Sequence, residues 1–190
     1  MENTIQTMPF ADRWAYRVDS HLPPLVLQEA LKQVKDLDYQ DSVVSLDLQV
    51  DKNIRASSND WLYWDNWLAG ILHNLIVAAN RDYFQYDLSF FDCKIQATSY
   101  TKDQYYDWHV DGNTIKPNGE ERKLSISFLL NDDYEGGEIE LAPLPIDTSL
   151  YSLKAGEALL FPSWLPHRVR PVTSGTRYSL VAWMAGPRFK

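Results

Sequence analysis

The chain contains four histidines, His21, His73, His109 and His167, and one of them opens the triplet His109-Val110-Asp111. On a strand, side chains i and i+2 leave the same face, so this imidazole and carboxylate project together. Such a pair suits a divalent metal but needs a third donor, and taken alone it fits a solvated strand end equally well. His167, 58 residues later in Phe161-Pro162-Ser163-Trp164-Leu165-Pro166-His167, is the third candidate. Taken alone, it reads as an ordinary histidine packed under Trp164.

Two imidazoles and one carboxylate on one face of a metal leave three positions open, as in the facial triad of non-haem Fe(II) sites. Arg177 follows His167 by ten residues, and a turn at 173–176 would bring it back toward the same site. A buried guanidinium is costly without an anion, and its planar fork matches a carboxylate in two places. Ser179 shares its face and adds a hydroxyl. A surface ion pair is the plain alternative for Arg177; the order HxD, His, Arg-x-Ser within one zone favours the site.

The elements that must position these residues divide into two zones. Residues 1–87 read as a mostly helical support region. Pro24 opens an amphipathic stretch through Leu25, Leu27, Ala30, Leu31, Val34 and Leu37. Val43–Val50 alternates as a strand, and Asp60 is placed to cap a long helix over Trp61–Ala79, whose Trp61, Trp64 and Trp67 would pack it onto the rest. Residues 88–186 read as short strands: Phe90–Tyr100, Tyr105–Val110, Lys123–Leu130, Gly137–Ala142, Ser149–Leu153, Ala158–Phe161, His167–Val172 and Arg177–Met184, parted by Gly, Asn, Asp and Pro turns. That spacing predicts a sandwich or jelly roll. No linker composition separates the zones, so residues 1–190 are expected to form one domain.

The sequence carries 18 basic and 26 acidic side chains, a net charge of −8, which speaks against a general grip on nucleic acid. A single cysteine, Cys93, excludes an internal disulfide framework and fits a cytoplasmic protein. No run is apolar enough for a membrane helix, and the first ten residues carry no secretory pattern. Aromatic residues reach 13%, and they signal either a thick core or a lined cavity.

Further motifs join the triad. Tyr100 through Asp111, Leu124–Asn131 with Tyr134-Glu135-Gly136-Gly137-Glu138, Leu153-Lys154-Ala155-Gly156-Glu157-Ala158-Leu159-Leu160-Phe161-Pro162, His167, Pro171-Val172-Thr173 and Gly175-Thr176-Arg177 stand in order. Together they resemble the iron(II)- and 2-oxoglutarate-dependent dioxygenases, in their prolyl-hydroxylase-like branch, over roughly residues 50–186. Asp103 departs from the pattern, standing where that family has glycine.

The resemblance implies a double-stranded β-helix (jelly-roll, cupin-like) core with N-terminal helices packed outside. It implies His109, Asp111 and His167 as ligands of Fe(II), and Arg177, with Ser179 and Tyr100, as the seat of the distal carboxylate of 2-oxoglutarate. The implied reaction consumes O2 and hydroxylates an unactivated C–H bond of a prolyl or other side chain of a protein or peptide, with ascorbate as an accessory. A free amino acid or other small molecule is the second substrate class. A nucleic-acid demethylase is disfavoured, since such enzymes carry another arginine six residues after the first, where this chain has Trp183.

Two readings of other classes stand beside it. One is a jelly-roll binding module without metal chemistry; the other is a metal-dependent isomerase or hydrolase, which has no need of Arg177. Tyr106, Trp108, Phe128 and Trp183 are expected to wall the site, with core packing the stronger expectation for Phe128 and Trp183. Residues 112–122 are a candidate lid. Arg55 is expected to pair with a nearby acid rather than reach a substrate. A monomer or homodimer is expected.

Overall fold

The computed structural model describes residues 14–42, 51, 53–112, 118–144 and 147–188. The expected strand at 43–50 and residues 113–117 of the candidate lid lie outside the described residues. The chain runs β1 (Tyr16–Asp19), α1 (Pro24–Lys35), β2 (Gln40–Asp41), β3 (Arg55–Ala56), β4 (Ser58–Leu62), α2 (Trp67–Ala79) and a π-helical turn at Asn80–Phe84. Strands follow: β5 (Phe90–Phe91), β6 (Ile95–Tyr100), β7 (Tyr105–His109), β8 (Glu120–Leu129), β9 (Glu135–Gly136), β10 (Ile139–Leu144), β11 (Asp147–Tyr151), β12 (Glu157–Pro162), β13 (His167–Val169), β14 (Val172–Ser174) and β15 (Arg177–Pro187).

A large sheet has the order β1-β12-β8-β15-β6-β4-β2, with β5 also pairing β15, and a smaller one the order β11-β10-β13-β7-β3. The registered pairs are antiparallel, and consecutive strands cross between the sheets, as in a jelly roll.

Alternation decides what each sheet face meets. Leu124, Ile126 and Phe128 of β8, Ala158 and Leu160 of β12, Leu180, Ala182 and Met184 of β15, and Ile95 and Ala97 of β6 form one cluster with Ala30 and Val34 of α1 and Leu68, Leu72, Leu75 and Ile76 of α2. The two helices therefore cover the outer face of the large sheet. The intervening positions, Gln96, Thr98 and Tyr100, Ser127, Phe161, Val181 and Trp183, turn to a cavity between the sheets. Phe128 thus belongs to the outer core, while Trp183 walls the cavity.

The helix expected over Trp61–Ala79 is corrected at its start. Residues Ser58–Leu62 pair with β6 as β4, and the helix begins at Trp67, where the Asn66 side chain accepts a hydrogen bond from the Leu68 N–H. Asp60 instead accepts from the N–H of Trp61. The three tryptophans do not pack the helix down: Trp61 sits on a strand, and all three remain close to 40% exposed. The first 87 residues also hold more strand than expected, in β1 through β4. The expected strand at 167–172 breaks at Pro171, which has no N–H for a ladder; β13 pairs β7 and β10, while β14 turns to β9. Asp103 takes φ 67°, the left-handed conformation that glycine adopts freely and aspartate tolerates. Among the described residues, no helix is long and apolar enough to cross a membrane.

Candidate metal centre and cosubstrate pocket

β7 and β13 are neighbours in the small sheet, and their register sets His109 opposite His167. Asp111 lies just past β7, where its N–H and that of Gly112 both donate to the Ser163 carbonyl. The three side chains converge, their donor atoms all within 4.8 Å of one another. Asp111 Oδ1 is 3.7 Å from His109 Nε2, and Oδ2 is 3.5 Å from His167 Nε2.

The ring orientations are fixed from behind. His109 Nδ1 donates to the Asp107 carbonyl at 2.8 Å and His167 Nδ1 to the Leu165 carbonyl at 2.9 Å. A carbonyl only accepts, so each Nδ1 carries a proton and each Nε2 is the ring atom that faces Asp111. Asp111 Oδ2 accepts from Ser125 Oγ at 2.8 Å, and Ser125 is itself bonded to Ser163. The indole N–H of Trp183 faces the same carboxyl without closing a full hydrogen bond.

Electrostatics favour a neutral His109 beside an ionised Asp111. Burial pushes the His109 imidazole down to about 3, aided by neighbouring His167 and opposed by Asp111. Burial works to raise the Asp111 carboxyl, but the two imidazoles and the hydrogen-bonding neighbours outweigh it and hold it below the usual carboxylate range. Tyr106 stacks on His109 with ring centroids 3.5 Å apart, and burial pushes its phenol up to about 12.

The triad opens into a cavity of about 390 Å³. Beside its Tyr100 wall, on the strand face that also carries the cavity-lining Val181 and Trp183, lies Arg177, 2% exposed, paired in register with Tyr100, its guanidinium 5.6 Å from the Tyr100 ring. Arg177 Nη1 donates to Ser179 Oγ at 2.7 Å. Its Nε, and the buried Oγ1 of Thr98 across from Ser179, have no hydrogen-bond partner. Among the described residues no carboxylate pairs with Arg177. An added Cβ on Gly137 would come within 3.0 Å of the Arg177 stem, so this position leaves room for the arginine. A buried guanidinium edge and a buried hydroxyl, both unsatisfied, are what an anionic ligand would complete. Two imidazoles and a carboxylate also fit Fe(II), so the donors suit both groups that the sequence resemblance implies.

The sequence-selected residues His109, Asp111, His167, Arg177, Ser179 and Tyr100 thus gather in one place. Trp108 does not join them: an irregularity in the β7–β13 register brings both Tyr106 and His109 to the cavity and leaves Trp108 between them 38% exposed, under the Arg168 guanidinium at 4.7 Å. Arg55 was expected to meet an acid. It instead lines the cavity, donating to Ser57 Oγ at 2.9 Å and Gln96 Oε1 at 3.4 Å. Sequence reading missed Thr98, Ser125, Gln96 and the Arg122–Asp92 pair (2.7 Å), all near the site. The polar residues at alternate places in Ile95-Gln96-Ala97-Thr98 were the available signal.

Comparison with known proteins agrees. Residues 95–185 match the model of the 2OG-Fe(II) oxygenase superfamily. A PKHD-type hydroxylase of Synechococcus sp. (strain CC9605) is 42% identical over 81 residues, 42% of this chain and 36% of that protein. One of Psychrobacter sp. (strain PRwf-1) is 37% identical over 94 residues, 46% of this chain and 36% of that protein. The matches thus span well under half the length of these relatives.

Two solved structures share the fold. A Trichoplax adhaerens prolyl hydroxylase, in complex with a peptide fragment of the hypoxia-inducible-factor oxygen degradation domain, superposes with a TM-score of 0.75 at 20% identity, covering 91% of this chain and 84% of that one. A Pseudomonas putida prolyl-4-hydroxylase gives 0.72 at 21%, covering 92% and 94%. The double-stranded β-helix expected from the sequence is therefore the fold observed. With its strand pattern and its His-Asp-His cluster, the segment 95–185 is similar to the 2OG-Fe(II) oxygenase superfamily, and the chain shares its fold with the two prolyl hydroxylases.

Proposed function

We propose that this protein is an Fe(II)- and 2-oxoglutarate-dependent dioxygenase that hydroxylates an unactivated C–H bond in a prolyl or other side chain of a protein or peptide. The observation that carries the reading is a His-Asp-His donor set opening into a cavity whose Tyr100 wall is paired in register with a buried arginine, Arg177, that has no acidic partner among the described residues. A binding module would need neither, and a metal-dependent isomerase or hydrolase would need only the donors.

Under this reading, His109, Asp111 and His167 hold the iron through the two Nε2 atoms and the Asp111 carboxylate. The backbone carbonyls of Asp107 and Leu165 keep the Nδ1 protons in place, so neither ring presents an N–H to the metal. Ser125 fixes the carboxylate's rotation by its hydrogen bond to Oδ2. Arg177 receives the distal carboxylate of 2-oxoglutarate, with Ser179, Thr98 and Tyr100 around it, which orients the keto acid end toward the triad. Iron with 2-oxoglutarate and O2 supplies the oxidising chemistry, the cosubstrate leaving as succinate and CO2, with ascorbate an auxiliary reductant. Ile139, Phe161, Val169 and Val181 give the cavity an apolar wall. The proposal takes residues 1–190 as one domain, and takes the acidic charge and single cysteine as those of a cytoplasmic protein.

Anaerobic addition of Fe(II) and 2-oxoglutarate should give the weak visible charge-transfer band of a chelated iron. His109→Ala and Asp111→Ala should abolish it, and Arg177→Ala should raise the 2-oxoglutarate requirement about tenfold or more, the worth of a charged hydrogen bond. No band at saturating iron and cosubstrate would overturn the proposal. Incubation with candidate peptides, read as a one-oxygen mass gain, tests the substrate class.

A further inference from the structure

Two arginines, Arg55 and Arg122, line the cavity of the triad and a third, Arg177, lies behind its Tyr100 wall, and their partners differ. Arg122 is neutralised by Asp92 at 2.7 Å and covers the Trp183 ring. Arg177 has its own orphaned neighbours at the far end. Arg55 is 7% exposed, and its recorded side-chain partners are all neutral: Ser57 Oγ, Gln96 Oε1 and the face of the Tyr106 ring at 4.6 Å. No carboxylate pairs with it among the described residues. Of its five N–H donors, one serves Ser57 and one serves Gln96, and the guanidinium lines the cavity. A buried cation held only by neutral groups lacks the anion that its burial demands.

This end of the cavity is distinct from that of Arg177. Gln96, the partner of Arg55, and Tyr100, the register partner of Arg177, lie four residues apart on one face of β6, a rise of roughly 13 Å. The Arg55 guanidinium sits on Tyr106, and Tyr106 on His109, so an anion at Arg55 would lie close beside the triad. β3 is an edge strand of the small sheet, which sets Arg55 at the cavity's border.

We infer that Arg55 is a second anion seat, and that the substrate bears a carboxylate that pairs with it while its reacting C–H bond faces the triad. The inference rests on the dioxygenase reading and narrows its substrate class to acids. The carboxylate comes either from a chain terminus or free amino-acid-like end, or from an acidic side chain beside the reacting residue. Asn59 and Gln96, both lining the same cavity, add amide donors on the carboxylate's flank.

The test uses the full-length protein loaded anaerobically with Fe(II) and 2-oxoglutarate. Three probes are titrated by ligand-observed NMR: N-acetyl-L-proline, its carboxamide, and the blocked dipeptide N-acetyl-prolyl-glutamate amide. The wild type should bind at least one acid about tenfold or more tightly than the carboxamide. Which acid wins separates the terminal from the side-chain source. Arg55→Gln should collapse that ratio to near one, and Arg55→Lys should restore part of it, a pattern that general loosening of the cavity would not give.

Equal binding of acid and carboxamide to the wild type, or no binding of any probe in the millimolar range, would overturn the inference. So would an unchanged ratio in Arg55→Gln. If Arg55→Gln instead raises the 2-oxoglutarate requirement as Arg177→Ala does, Arg55 serves the cosubstrate and the inference falls. A protein that forms the charge-transfer band yet shows no acid preference would sink this inference alone; one without the band would sink the dioxygenase reading first.

Discussion

Ser125 shows how much a single ordinary side chain contributes. Its hydroxyl donates to Asp111 Oδ2 and meets Ser163 Oγ at 2.9 Å, so it sets the rotation of the only carboxylate in the donor set. Loss of such an outer hydrogen bond weakens metal binding about tenfold or more. Ser125→Ala should therefore raise the Fe(II) concentration at half-saturation by that factor in an anaerobic titration, while Ser125→Thr, which keeps the hydroxyl, should fall between. His109, Asp111, His167 and Arg177 stood out in the sequence because histidine is scarce in the chain and their joint order is specific. Ser125, Thr98 and Gln96 did not, since serine, threonine and glutamine are common. Their roles come from the cross-strand register, with Ser125 opposite Phe161 and Thr98 opposite Ser179.

Strands and helices were read well where one periodicity governed them. α1 begins at Pro24 as its pattern indicates, because proline tolerates the first turn and the spacing of Ala30 and Val34 buries one stripe. The region 58–67 misled because tryptophans at every third place imitate a helical stripe. The backbone there is first a strand, then a turn ending at Asn66. The cap supplies the test. Asn66→Ala should destabilise the protein by about 1 kcal/mol in urea unfolding. Asp60→Ala, which removes no helix cap, should cost less than half of that. The turn at Asp103 makes a similar point. Asp103→Ala should be destabilising by about 1 kcal/mol because a β-carbon without a polar group fits φ 67° poorly, and Asp103→Gly should be close to neutral.

The molecule as a whole is held by the helix-covered side of the large sheet. Leu68 and Leu72 of α2 are fully buried against it, and Leu68→Ala should cost about 2–5 kcal/mol, read as a lower urea midpoint with unchanged slope. On the small sheet, Glu140 receives Arg168 at 2.7 Å and Arg170 at 4.0 Å. Burial works to raise its carboxyl, but the Arg168 hydrogen bond, Thr148 and the two charges outweigh it and hold it low. A carboxylate whose folded pKa is depressed stabilises above its unfolded value of about 4.3 and loses that contribution as pH falls through the folded one. The urea midpoint should thus drop more steeply below about pH 4 in the wild type than in Glu140→Gln. Finally, β15 bonds to β6 on one side and β8 on the other, whereas β3 is a two-residue edge with one neighbour. Amide deuteration should accordingly reach Ser179 and Leu180 last and Ala56 among the first. The floor that seats Arg177 then opens only when the whole protein unfolds, while the border that carries Arg55 breathes on its own. Guests of different bulk can be exchanged at that border without the floor ever letting go.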